Sequence, residues 1–188
     1  MKVKRSIDIR KEIIKTSKSL FSSHGYAEVS MNQIAKSLEL TKPALYYYFK
    51  SKSHLYEVVV DHTIADIEKL LDESLKKETA EEKIKDFIKS YLKYTLDGEN
   101  TINSWMLQVN DMDVKFTKNI SAFRDRVYVL INPVIEEILK SKGKDSIDVD
   151  SFAPLFFAML NGVLLESSLH DERTDIDELT EQIYDILF

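Results

Sequence analysis

Only four glycines and three prolines punctuate the 188 residues of this chain, and that scarcity of breakers limits its folds more than any other feature. Gly25, Gly98, Gly143 and Gly162 stand far apart, so neither a phosphate-cradling loop nor a dinucleotide fingerprint can be built from them. Between them apolar residues recur at i, i+3, i+4 and i+7, the spacing of amphipathic helices. The expectation is an all-α chain of about nine helices.

The densest information lies in SMNQIAKSLELTKPALYYYFKSK, Ser30 to Lys52. Met31, Ile34, Ala35 and Leu38 form one apolar face of a very short helix, and Ser30 with Gln33 fits a capping box at its start. A helix of that length is unstable alone and needs packed neighbours. A second short helix follows, with Thr41 as cap and Pro43 in the first turn, where a missing N–H costs little. Leu40, Leu45 and Phe49 point inward. Lys42, Pro43, Ala44, Tyr46, Tyr47 and Tyr48 are left facing outward, and lysines beside exposed aromatics suit sugar-phosphate and thymine methyl groups better than water. The plain alternative is a helical hairpin packed against the protein's own body.

Charge is divided the same way. Residues 1 to 56 hold 11 Lys or Arg against 4 Asp or Glu, a net +7, whereas residues 57 to 188 hold 15 against 28, a net −13. A basic head on an acidic body turns only the head toward a polyanion. Lys2, Lys4 and Arg5 extend the basic region as either a groove-seeking arm or a solubilising tail.

Several chemistries are disfavoured. The chain has no cysteine, which removes disulfides, thiolate catalysis and cysteine-ligated metals. His24, His54, His62 and His170 form no paired metal spacing. Asp111 with Asp113 and Asp148 with Asp150 read as helix caps. With no nucleophile and base in evident partnership, no enzyme activity, cofactor or metal is expected. MKVKRSIDIRK lacks the apolar core of a signal peptide, and no stretch is expected to span a bilayer, so a cytoplasmic protein is expected.

Along the chain, a first helix is expected from residue 7 to about 23, ended by Gly25. A long amphipathic helix from Ser51 to about Lys77 follows the hairpin directly, which makes it a mechanical link. Further helices are expected at 80–96, around Trp105 to Val109, and at 114–140 with a kink at Pro133. From Phe152 to Leu165 only Asn161 and Gly162 are not apolar, so that helix needs cover on nearly every side. The closing helix repeats Ile176, Leu179, Ile183 and Ile186, a seam suited to another helix. The two together point to a two-fold, bundle-like homodimer, the alternative being a buried central helix in a monomer. Tyr91, Tyr94, Trp105, Met106, Met112, Phe116, Phe123, Phe156 and Met159 are large, and Gln108, Asn119 and Asn161 supply orienting polar groups. This set is an expected pocket for a small apolar or aromatic molecule, with ordinary core as the alternative at each position.

IAKSLELTKPALYYYFKSKSHLY resembles the signature of the TetR family of bacterial transcriptional regulators: an IA-containing helix, a short turn, an LYYYF-type recognition helix, a lysine and a leucine-bearing helix. The resemblance is specific over residues 6 to about 60 and rests beyond them on helix number and order. It implies a sequence-specific regulator, a repressor released from a palindromic double-stranded DNA operator by a small effector. Residues 1–50 would be the DNA-binding domain, with the helix-turn-helix at about 30–50, and residues 51–188 the ligand-binding and dimerisation domain. By the same resemblance Ser30 and Gln33 open the supporting helix, Ser30 donating to a phosphate. Thr41, Lys42, Pro43 and Ala44 begin the helix that enters the major groove. Tyr46 and Tyr47 look like the phosphate and groove-edge aromatics, with Tyr48 beside them, and Lys52 like the phosphate-contacting lysine. One position departs: where the family's turn usually carries glycine, this chain has Glu39, which implies a slightly different turn or local strain, and adds a negative charge near DNA. The rivals are a helical carrier or enzyme that binds a small molecule without DNA, and an adaptor whose tyrosine-rich helix docks a protein.

Overall fold

The computed structural model describes residues 2–96, 114–169 and 175–188. Within them the regular elements are α1 (Lys2–Glu28), α2 (Met31–Ser37), α3 (Lys42–Tyr48), α4 (Lys52–Ser74), α5 (Ala80–Leu96), α6 (Val114–Ser141), α7 (Val149–Leu169) and α8 (Ile176–Leu187). Eight helices therefore stand among the described residues. The further one expected around Trp105 lies outside them. The chain divides into two compact units, the first ending at Ala65 and the second beginning at Asp66, inside α4.

The first unit gathers α1 to α3 and the start of α4 around Ile13, Phe21, Ile34, Leu45, Phe49, Leu55 and Val59, all fully buried. Burying a side chain of this size stabilises by roughly 1.5–3 kcal/mol, which is how seven-residue helices such as α2 and α3 persist. One expectation needs correction here. The backbone is already helical at Lys2, so the basic N-terminus is the opening of α1 and neither an arm nor a tail. Gly25, at φ 77 and ψ 161, interrupts the helix as expected, and only a short helical stretch follows it to Glu28.

In the second unit α5 contributes Ile84, Phe87, Ile88 and Leu92, α6 contributes Val127, Ile131 and Ile135, and α7 contributes Phe156, Leu160 and Leu164. Phe87, Phe156 and Phe157 pack ring against ring at its centre. Along one edge Lys85 bridges Glu81 of α5 at 2.8 Å and Glu181 of α8 at 2.6 Å. These bonds hold the Glu81 carboxyl below its ordinary range and the Lys85 ammonium above its own. α6 runs through Pro133 and α7 through Pro154, each forgoing one backbone donor.

Two further expectations are corrected in this unit. The closing seam is not uniform: Ile183 is 1% exposed and belongs to the unit's own core, whereas Ile186 is 70% exposed. In addition, the window Val149–Glu166 of α7, with mean hydropathy 1.3, is long and apolar enough to cross a bilayer by length and composition. Phe152, Ala153, Phe156, Leu160 and Leu164 of that window are buried in the unit, while Leu155 at 64% and Leu165 at 41% remain exposed.

Candidate nucleic-acid interface

Local hydrogen bonds set the two short helices before any long-range contact does. The Gln33 amide N–H donates to Ser30 Oγ at 3.2 Å, and the Ser30 N–H donates back to Gln33 Oε1 at 2.8 Å, a complete capping box. The Ser30 hydroxyl also donates to Gln33 Oε1 at 2.7 Å. Its proton is thereby engaged inside the protein, and the outward-facing donor of the pair is the Gln33 amide nitrogen. At α3 the Ala44 N–H donates to Thr41 Oγ1 at 3.3 Å, which leaves the Thr41 hydroxyl proton for an external acceptor.

The turn between the helices has a definite chemistry. Leu40 N–H reaches back to the Ala35 carbonyl at 2.9 Å and Glu39 N–H to that of Lys36 at 3.1 Å. This is a Schellman ending, which places its C′ residue in the left-handed region. Glu39 is that residue, at φ 53. The end of α6 makes the same two bonds, Lys144 to Leu139 and Gly143 to Lys140, with Gly143 at φ 69. One chain thus builds one motif twice, once with the residue suited to it and once with glutamate.

Leu45 and Phe49 anchor α3 at 0% exposure, and the rest of the helix faces away from the core. Tyr47 is 82% exposed and Tyr46 41%. Lys42 and Pro43 are exposed, and Ala44 and Tyr48 are half-buried. Tyr48 stands edge-on to Tyr47, with ring centroids 5.2 Å apart, and the Lys42 ammonium lies 5.9 Å from the centre of the Tyr46 ring. An inward-packed hairpin cannot account for Tyr47. Ser30, Lys42, Tyr46 and Lys52 also line one shallow cleft, together with Glu28 and Asn32.

Lys52 has inward partners. Its ammonium donates to the Tyr26 carbonyl at 2.9 Å and the Ala27 carbonyl at 3.4 Å, and lies 4.2 Å from the centre of the Tyr26 ring. Arg10 similarly covers the face of Phe49 at 5.1 Å. Sequence periodicity places Arg10 on a polar face and gives no sign of Tyr26, because neither pairing is local.

The candidate effector residues divide. The Tyr91 hydroxyl donates to Asn161 Oδ1 at 2.8 Å, and burial raises its phenol well above the ordinary range. Tyr94 turns instead to Asp66, donating to Oδ2 at 2.7 Å. Phe156 is fully buried against Phe87, while Phe123 and Met159 are half-buried. Trp105, Met106, Gln108 and Met112 lie outside the described residues, as do the side chains of Phe116 and Asn119. Among the described residues no three His, Asp or Glu side chains converge as a metal site would.

Two short capped helices across a tight turn, the second offering lysine and tyrosines outward from a buried leucine and phenylalanine, define a helix-turn-helix DNA-binding protein. The family model for "Bacterial regulatory proteins, tetR family" matches residues 13–59. The biofilm operon icaADBC HTH-type negative transcriptional regulator IcaR of Staphylococcus aureus (strain Newman) is 22% identical over 182 residues, 96% of this chain and 95% of the relative. The TetR-family regulator PfmR of Thermus thermophilus superposes with a TM-score of 0.78 at 19% identity, covering 93% of this chain and 96% of its own. FadR of Bacillus subtilis, in complex with stearoyl-CoA, gives a TM-score of 0.76 at 19% identity over 94% of this chain and 96% of its own. Residues 13–59 thus match the DNA-binding domain of the TetR family, and over nearly its whole length the chain is similar to HTH-type transcriptional regulators.

Proposed function

We propose that this regulator is a cytoplasmic repressor that binds a palindromic DNA operator as a homodimer and is released by a small, largely apolar or aromatic effector. The exposure of Tyr47, 82% on a helix whose Leu45 is fully buried, carries the DNA half of the reading. In this reading Lys42, Pro43 and Ala44 enter the major groove first, Tyr46, Tyr47 and Tyr48 follow its edge, and Thr41 and Gln33 donate to phosphates. Ser30 acts by fixing the orientation of Gln33. No catalytic role is assigned.

Dimerisation is supported by Leu155, Leu165 and Ile186, large apolar side chains exposed on α7 and α8. Two copies would set their recognition helices about 34–36 Å apart, one turn of DNA. The buried Tyr91 to Asn161 pair, among aromatic neighbours, supports an effector with a large apolar part and few polar groups. That FadR is bound to stearoyl-CoA and IcaR is a negative regulator supports the same reading. Effector binding would act through α4, unbroken from Lys52 to Ser74, with a coupling of about 1–3 kcal/mol.

Screening apolar and aromatic compounds by thermal shift, then by competition against a bound duplex, tests the coupling. The expected outcome is a compound that stabilises the protein and weakens duplex binding. Compounds that bind without altering duplex affinity contradict it, because such a ligand does not distinguish the two states.

A further inference from the structure

We propose that Lys52 is a positioning residue that closes the base of the helix-turn-helix, so that its effect on DNA binding passes through the placement of α2 and α3 and not through a phosphate. The proposal rests on the DNA-binding reading above.

Carbonyls where a helix breaks off lack intrahelical partners, and a cation there is favoured by hydrogen bonding. α1 has no basic residue in its own last turn. Gly25, at φ 77 and ψ 161, interrupts the helix just before Tyr26 and Ala27, and Lys52 supplies a donor to their carbonyls from 26 and 25 residues away. Two of the three ammonium N–H bonds are committed to these carbonyls, at 2.9 and 3.4 Å.

The aromatic surroundings fix the same group from the side. The Tyr26 ring lies 4.2 Å from the Lys52 ammonium and packs on Tyr56 at 4.7 Å and Phe21 at 6.0 Å between centroids. Phe21 belongs to α1 and Tyr56 to α4. The ammonium thus joins the end of α1 to the first residue of α4, and the chain between those points is α2, the Glu39 turn and α3. A lysine drawn away to a phosphate would leave the α1 carbonyls without their donor. Held in place, it fixes both ends of the DNA-reading segment.

The full-length protein tests this with Lys52→Met, which keeps the stem and removes the charge, Lys52→Arg, which keeps the cation, and Tyr26→Leu, which removes the ring. Duplex affinity is measured by fluorescence anisotropy over a salt series, and amide hydrogen exchange is measured without DNA. For Lys52→Met the expected loss of affinity is about tenfold, with exchange in α2 and α3 about tenfold faster. The slope of log affinity against log salt should stay at the wild-type value. Lys52→Arg should restore both quantities, and Tyr26→Leu should add less to Lys52→Met than it costs alone.

A slope shallower by about 0.9, with exchange unchanged, marks a direct phosphate contact and overturns the proposal. Unchanged affinity for Lys52→Met also overturns it. If Lys52→Met does not fold, unchanged exchange in α2 and α3 for Tyr26→Leu overturns it equally. If the wild type binds no duplex, the DNA reading itself fails, while hydrogen exchange still decides whether Lys52 closes the hairpin.

Discussion

Glu39 holds φ 53 in the turn, a conformation that costs an L-residue roughly 1–2 kcal/mol and costs glycine nothing sterically. Part of that difference returns through the larger conformational freedom of an unfolded glycine. Glu39→Gly should therefore raise stability by about 0.5–1 kcal/mol, read from the midpoint of chemical denaturation. A fall would mean that the carboxylate makes a compensating contact. Tyr47 presents the opposite case, for at 82% exposure it supports no core. Tyr47→Ala should leave stability within about 0.5 kcal/mol and weaken duplex binding about tenfold; unchanged binding would remove Tyr47 from the interface. The sequence makes the Ser30–Gln33 and Thr41–Ala44 caps legible because each partner lies three residues from the other. It cannot show the partners of Lys52, which come together only when α1 and α4 have packed.

Among the elements, the last two helices show how far periodicity reaches. It places Ile176, Leu179, Ile183 and Ile186 on one stripe, but a stripe does not say which part meets the chain's own core and which part faces out. Folding divides them, burying Ile183 and exposing Ile186. The consequences of charged substitution differ accordingly. Ile186→Lys should give a folded monomer by sedimentation, with helical content retained, because it alters only an exposed patch. Ile183→Lys should destabilise the fold itself by roughly 3 kcal/mol or more. A dimer that survives Ile186→Lys would move the interface away from this part of α8. Helix boundaries are most legible where caps stand, as at Ser30 and Thr41. They are least legible at α1, where helical backbone starts at Lys2, ahead of the expected start at residue 7.

For the whole molecule, the division of charge and the outward face of α3 converge on one function. The basic first 56 residues, net +7, contain both the helix-turn-helix and its Lys52 closure, while the remaining residues carry −13. In the proposed reading the basic residues meet the DNA, and affinity falls with salt as counterions are released. Selection from a randomised duplex pool, followed by titration of the enriched duplex between about 50 and 200 mM salt, tests this most directly. The account predicts an enriched motif of two inverted half-sites bound by one dimer, with affinity falling steeply and log-linearly as salt rises. No enrichment, or binding indifferent to salt, would contradict it.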